Sequence, residues 1–204
     1  IVLAVLPRLP AMPEEGAVTS VGGFFALAPL LLFAVFAAAV FEQVVISLFA
    51  VYGAALGSAE TRIASVIACF TAGNAALQIV LGRAAERFGS AQTMLACTLA
   101  SLAGCLALSS SFGGWAIWPL IFVWGGVSFG IYTMALIQLG ERFGGQALIA
   151  GNAAFAVVWG VGGLAGSPTV GGAMQLVGHQ GLPLSLGLLS LVLAALLVAT
   201  RQRL

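Results

Sequence analysis

The sequence predicts an all-α membrane protein with six transmembrane helices, and two observations carry that prediction. The first is composition: of 204 residues, 61% are hydrophobic and 6% charged, where a soluble domain carries about 25% charged residues. So few charges do not cover a water-facing surface, and lipid is the solvent expected for most of the chain. The second is the length of the apolar runs. A spanning helix needs about 20 mostly apolar residues, and such runs lie at 24–52, 63–81, 93–109, 115–139, 147–177 and 182–200. The connections at 53–61, 82–92, 110–114, 140–146 and 178–181 are short and hold the polar and turn residues. Neighbouring helices are therefore expected to run antiparallel.

Taken in order, residues 1–6 read as the end of a preceding span, too short for the apolar core of a signal peptide and without a basic stretch before it. Residues 7–23 carry Pro7, Pro10, Pro13, Glu14 and Glu15 and read as a linker. Residues 24–204 form the transmembrane domain. Its first span holds Glu42 and Gln43 far from either end, and a charge there costs on the order of 3 kcal/mol on insertion scales. Such a residue is expected to face a water-filled cavity or to titrate. Glu42 is thus a candidate for proton coupling or for contact with a cationic substrate; the plain alternative is a structural acid bonded to a neighbouring helix. The second span adds Asn74 and Gln78, the fourth Tyr132 and Gln138, and the fifth Asn152. In hydrocarbon each needs a partner, so each points into the bundle or a cavity, with interhelical bonding as the plain alternative. Cys69, Cys97 and Cys105 lie in apolar runs without metal-site spacing and read as packing residues; no metal or cofactor is expected. Trp115 and Trp118 fit an interfacial belt, and His179 reads as a solvated loop residue.

Small residues at 126 and 130 and at 162 and 166 allow close helix approach. The fifth span is crowded with Gly160, Gly162, Gly163, Gly166, Gly171 and Gly172 around Pro168, a composition suited to bending or sliding. Arg8, Arg83, Arg87, Arg142, Arg201 and Arg203 fall on one side of a six-span arrangement, and Arg62 alone on the other. The bias places the linker and C-terminus in the cytoplasm, with the domain in a cell's inner membrane. The all-Arg basic set forms no patch for phosphate, which excludes a nucleic-acid partner. Residues 126–130 match the Gly-x-Ser-x-Gly nucleophile pattern, but that elbow needs a strand-to-helix turn, and this stretch lies inside an apolar helix.

The connection after the second span reads Gly82-Arg83-Ala84-Ala85-Glu86-Arg87-Phe88-Gly89-Ser90. It resembles the cytoplasmic loop signature of the major facilitator superfamily, between that family's eighth and ninth helices. Glu86 stands where Asp is usual, and Ser90 where a second basic residue is customary. The resemblance extends to an aromatic-Gly stop at residues 49–53 and to Gly166-Ser167-Pro168 followed by Gly171-Gly172. It implies that the six spans are helices seven to twelve, one half of that fold, with the linker at residues 7–23 in the family's central position. The function implied is secondary active transport of a small solute by alternating access; the expectation that it is proton-coupled rests on Glu42 alone. The partners implied are the lipid bilayer, a small-molecule substrate and a missing N-terminal six-helix half. Gly82, Arg83, Glu86, Arg87 and Gly89 would form a cytoplasmic gating loop, with Glu86 at a helix N-terminus. Gly162, Gly166 and Pro168 would let a helix flex, and Asn74, Tyr132 and Asn152 would line the cavity. A non-transporting six-helix scaffold or assembly subunit is the alternative of a different class.

Overall fold

The computed structural model describes residues 20–201, and among these every regular element is a helix. The expectations for residues 1–6, for most of the linker and for Arg8 and Arg203 lie outside the described residues. A short helix α1 (Val21–Leu27) is capped by Ser20, whose hydroxyl accepts from the Gly23 N–H at 3.1 Å. It breaks at Ala28, and α2 (Pro29–Ala55) starts with Pro29 at its first turn, where a missing N–H costs nothing. The sequence placed one span over this whole region and a linker as far as residue 23; the backbone starts a helix at Val21 and divides it at Ala28.

The remaining helices are α3 (Glu60–Phe88), α4 (Ser90–Ser111), α5 (Ile117–Arg142), α6 (Gly145–Val177) and α7 (Gly181–Arg201). Among the described residues five stretches are long and apolar enough to cross a membrane, and the last runs from Gly145 to Thr200. The backbone divides that last stretch at Gly178, whose φ of 71° is a left-handed conformation that favours glycine. A single turn, Gly178–Gln180, then leads into α7.

The helices pack in an order that repeats with inverted direction. Helix α3 lies along α5 as α6 lies along α2, α4 meets α7, and α2 touches α5 at the centre. Two three-helix units, α2–α4 and α5–α7, are thus related as inverted repeats. Glycines set the two long crossings. A Cβ on Gly73 of α3 would strike the Phe122 carbonyl of α5, and one on Gly125 of α5 would strike the Phe70 carbonyl of α3. On the other side, a Cβ on Gly162 would lie 2.9 Å from the Phe36 carbonyl, and one on Gly166 3.2 Å from the Val40 backbone.

Trp124 of α5 fills the space these crossings leave. It is 1% exposed, with Phe41 and Phe49 of α2 and Phe70 of α3 around it at ring-centroid distances of 5.8, 6.4 and 5.9 Å. Its indole N–H donates to the Ser101 carbonyl of α4 at 3.0 Å, so the largest core side chain leaves no donor unsatisfied. The aromatic-Gly stop expected at Gly53 is not a stop. The helix runs two residues further, and Gly53 is small because a Cβ there would lie 2.6 Å from Ile63.

Candidate functional site

Four helices contribute to one continuous wall near the middle of the bundle. Glu42 is the middle residue of α2 and Asn74 the middle residue of α3, while Tyr132 of α5 and Trp159 of α6 lie within a turn of their helix centres. Gln78 of α3 accepts from the Thr133 hydroxyl of α5 at 2.7 Å and donates to the carbonyl of Asn74 at 2.7 Å. Tyr132 packs against Trp159 with centroids 4.7 Å apart and rings tilted by 58°, and Phe129 closes the group at 5.5 Å from Tyr132 and 6.0 Å from Trp159. One turn further along the same face of α6, Gly163 leaves room for Gln43 of α2, whose Cγ would be 3.1 Å from a Cβ there. A turn beyond, Ser47 and Ser167 share a hydrogen bond of 2.7 Å across the same pair of helices. The wall is half-buried apart from the exposed Ser47 at one edge, with aromatic rings at its centre.

Glu42 stands beside this wall and has its own environment. It shares a helix face with Val35 and Phe49, each seven residues away and fully buried, while Ile46, one turn on, is exposed, so Glu42 lies at the border of the inward face. Its Oε2 is buried and has no hydrogen-bond partner. An unpaired carboxyl oxygen in such a place costs free energy until a donor, a proton or water meets it.

The other expected polar residues divide. Gln138 is 3% exposed and spoken for: its Oε1 accepts from Arg142 at 2.8 Å, and its amide approaches the Met94 sulfur at 3.7 Å. Asn152 is exposed and bonds its own helix at the Leu148 carbonyl, 3.0 Å away, so it makes no interhelical bond there. Thr133, Trp159 and Phe129 belong to the wall although sequence reasoning passed over them. Their one available signal was position, each lying within a turn of Tyr132 or of a mid-helix glycine.

The expected gating segment is not a loop. Gly82, Arg83, Glu86 and Arg87 all lie in the last two turns of α3, and only Gly89, with φ 87°, breaks the chain. Glu86 is therefore at a helix C-terminus, not an N-terminus, where the macrodipole disfavours negative charge and favours Arg87. Arg83, Glu86 and Arg87 are exposed, and Arg87 covers the Phe88 ring at 5.3 Å. The contact that joins helices at this end belongs to Ser90, which donates to Oε2 of Glu141 at 2.7 Å, linking the start of α4 to the end of α5.

Gly162 and Gly166 are packing contacts on α2, and α6 continues as helix through Pro168, whose side is exposed. At the opposite end, Arg62 donates to the carbonyls of Phe112 and Gly114 at 2.9 and 2.7 Å, holding the turn between α4 and α5. His179 is half-buried rather than solvated. It lies 6.1 Å from the Tyr52 ring, and a chain of bonds runs from Tyr52 to Ser109 at 3.0 Å and on to Gln180 at 2.9 Å.

The sequence profile of the Major Facilitator Superfamily matches residues 31–203. No curated protein and no solved structure matches the chain.

Proposed function

Because the chain belongs to the Major Facilitator Superfamily, a family of multi-pass membrane transporters, we propose that it forms the C-terminal half of a proton-coupled secondary transporter for a small solute. In this reading α2–α7 cross the inner membrane of a bacterial cell six times, with the Arg-rich end and both termini in the cytoplasm. The half-buried wall faces a second six-helix half across the solute path, and the two halves rock about it by alternating access. Gln43, Gln78, Tyr132 and the backbone around Asn74 contact the solute, and Asn152 lines the path nearer the Arg-rich end. Arg83, Glu86 and Arg87, between Gly82 and Gly89, form the movable cytoplasmic latch. Pro168 is the point at which α6 bends, while Gly162 and Gly166 let it slide on α2.

The observation that supports this reading best is Glu42: a carboxylate at the middle of a membrane helix with a buried, unpartnered oxygen. A scaffold gains nothing from keeping it, whereas a transporter uses it to take up and release a proton. The test uses the complete gene product in proteoliposomes under a proton gradient, supplied with a panel of neutral and monocationic solutes. Wild type accumulates or expels at least one of them in step with proton flux. Glu42→Gln keeps solute binding and loses gradient-driven transport by about a hundredfold or more, the size typical for loss of a positioned proton-transfer group. Transport by Glu42→Gln at the wild-type rate would remove the coupling role.

A further inference from the structure

We infer that the Arg-rich end of the bundle holds a built site for one anionic phospholipid, between α2, α4, α5 and α7. A cavity of about 430 Å³ opens there. Its rim carries Arg142, Gln92 and Thr200, and its walls are Leu31, Leu95 and Leu197. The lining thus joins polar and apolar groups, as a phospholipid joins a headgroup to an acyl chain.

Two positive features converge on the rim. The first is the Arg142 guanidinium, held against the wall by its 2.8 Å bond to the buried Gln138 carboxamide, which leaves its other donors to a ligand. The second is the N-terminus of the 27-residue helix α2, whose second and third residues, Leu30 and Leu31, line the cavity. That helix end has no side-chain cap, and Pro29 supplies no N–H. The macrodipole of this long helix favours an anion in the same place as Arg142 does, against the smaller opposing end of the seven-residue α1 at Leu27. The nearest acid in sequence, Glu141, is held by a bond from Ser90 at the start of α4 and does not itself line the cavity. A phosphate diester at the rim with an acyl chain among the leucines satisfies charge and apolar wall together. The site needs only that the chain sits in a bilayer, and it is independent of transport.

The test is retention of lipid by the purified full chain after exposure to equal amounts of phosphatidylglycerol and phosphatidylcholine, read by native mass spectrometry. Wild type retains one phosphatidylglycerol in preference to phosphatidylcholine. Arg142→Gln lowers that occupancy by about fivefold, the attraction of one basic residue for an anionic headgroup. Arg83→Gln, at the same end of the bundle but outside the cavity, retains the lipid as wild type does. Ala91→Trp fills the cavity while leaving Arg142 in place, and it also loses the lipid, which keeps the test decisive if Arg142→Gln misfolds. Equal retention of the two lipids, equal loss in Arg83→Gln, full retention in Ala91→Trp, or displacement by inorganic phosphate alone would each overturn the site.

Discussion

At the scale of single residues, the bond between Gln78 and Thr133 shows how this chain handles polarity in hydrocarbon. Water does not compete inside a bilayer, so a carboxamide on α3 must find its partners on its own or a neighbouring helix, and Gln78 finds one on each. A double-mutant cycle on Gln78→Leu and Thr133→Val, followed by unfolding in mixed micelles, should give a coupling of about 0.6 kcal/mol, the usual worth of such a pair. Strict additivity would mean that the pair does not form. The same physics explains which site residues the sequence disclosed. Glu42, Gln43 and Gln78 stand out because charge or a carboxamide in an apolar run demands an explanation. Thr133, Ser47 and Ser167 stay hidden because a hydroxyl satisfies itself on its own helix carbonyl and so announces nothing. Trp159 stays hidden because an aromatic ring is ordinary in an apolar run. Ser90 read as a departure from a motif, yet it makes the interhelical bond at that end.

At the scale of elements, the long apolar helices were readable from the sequence, but the short helix α1 and the helix ends were not. Arg83, Glu86 and Arg87 suggested a loop, yet long charged side chains extend from the end of a helix toward water without unwinding it. What ends α3 is the backbone of Gly89 rather than the charges before it. Glycine likewise has two meanings that a sequence does not separate. Gly73 lies against the backbone of α5, and Gly82, nine residues along the same helix, has nothing within 4 Å of a Cβ. Gly73→Ala must push α3 and α5 apart and should cost about 1–3 kcal/mol, as overpacking does. Gly82→Ala gains helix propensity in open space and should stabilise by up to about 1 kcal/mol. Thermal unfolding in detergent separates the two signs, and equal effects would mean that the α3–α5 crossing is looser than drawn.

At the scale of the whole molecule, the inverted repeat and the Arg bias make one joint prediction about sidedness. Each connection reverses the chain, so the ends of α3 near Glu60 and near Glu86 must lie on opposite faces of the membrane. The decisive stretch is Gly145–Thr200, which composition treats as one apolar run and the backbone turns back at Gly178. A run that returns puts Gln180 on the face of Glu60; a run that continues along the surface leaves it with Glu86. Glu60, Glu86, Gly144 and Gln180 are all exposed, so a cysteine at each is open to reagent. The native thiols give little background, since Cys97 and Cys105 are 2% exposed and Cys69 lies within α3 against the Trp118 carbonyl. With a membrane-impermeant maleimide added to intact cells, Glu60→Cys and Gln180→Cys should label, and Glu86→Cys and Gly144→Cys should label only after the cells are opened. Labelling of Gln180→Cys together with Glu86→Cys would reduce the count of crossings and break the pseudo-symmetry. Labelling of all four in the reverse sense would keep the fold and invert its orientation, which the Arg bias opposes at about 1 kcal/mol for each basic residue near an anionic surface.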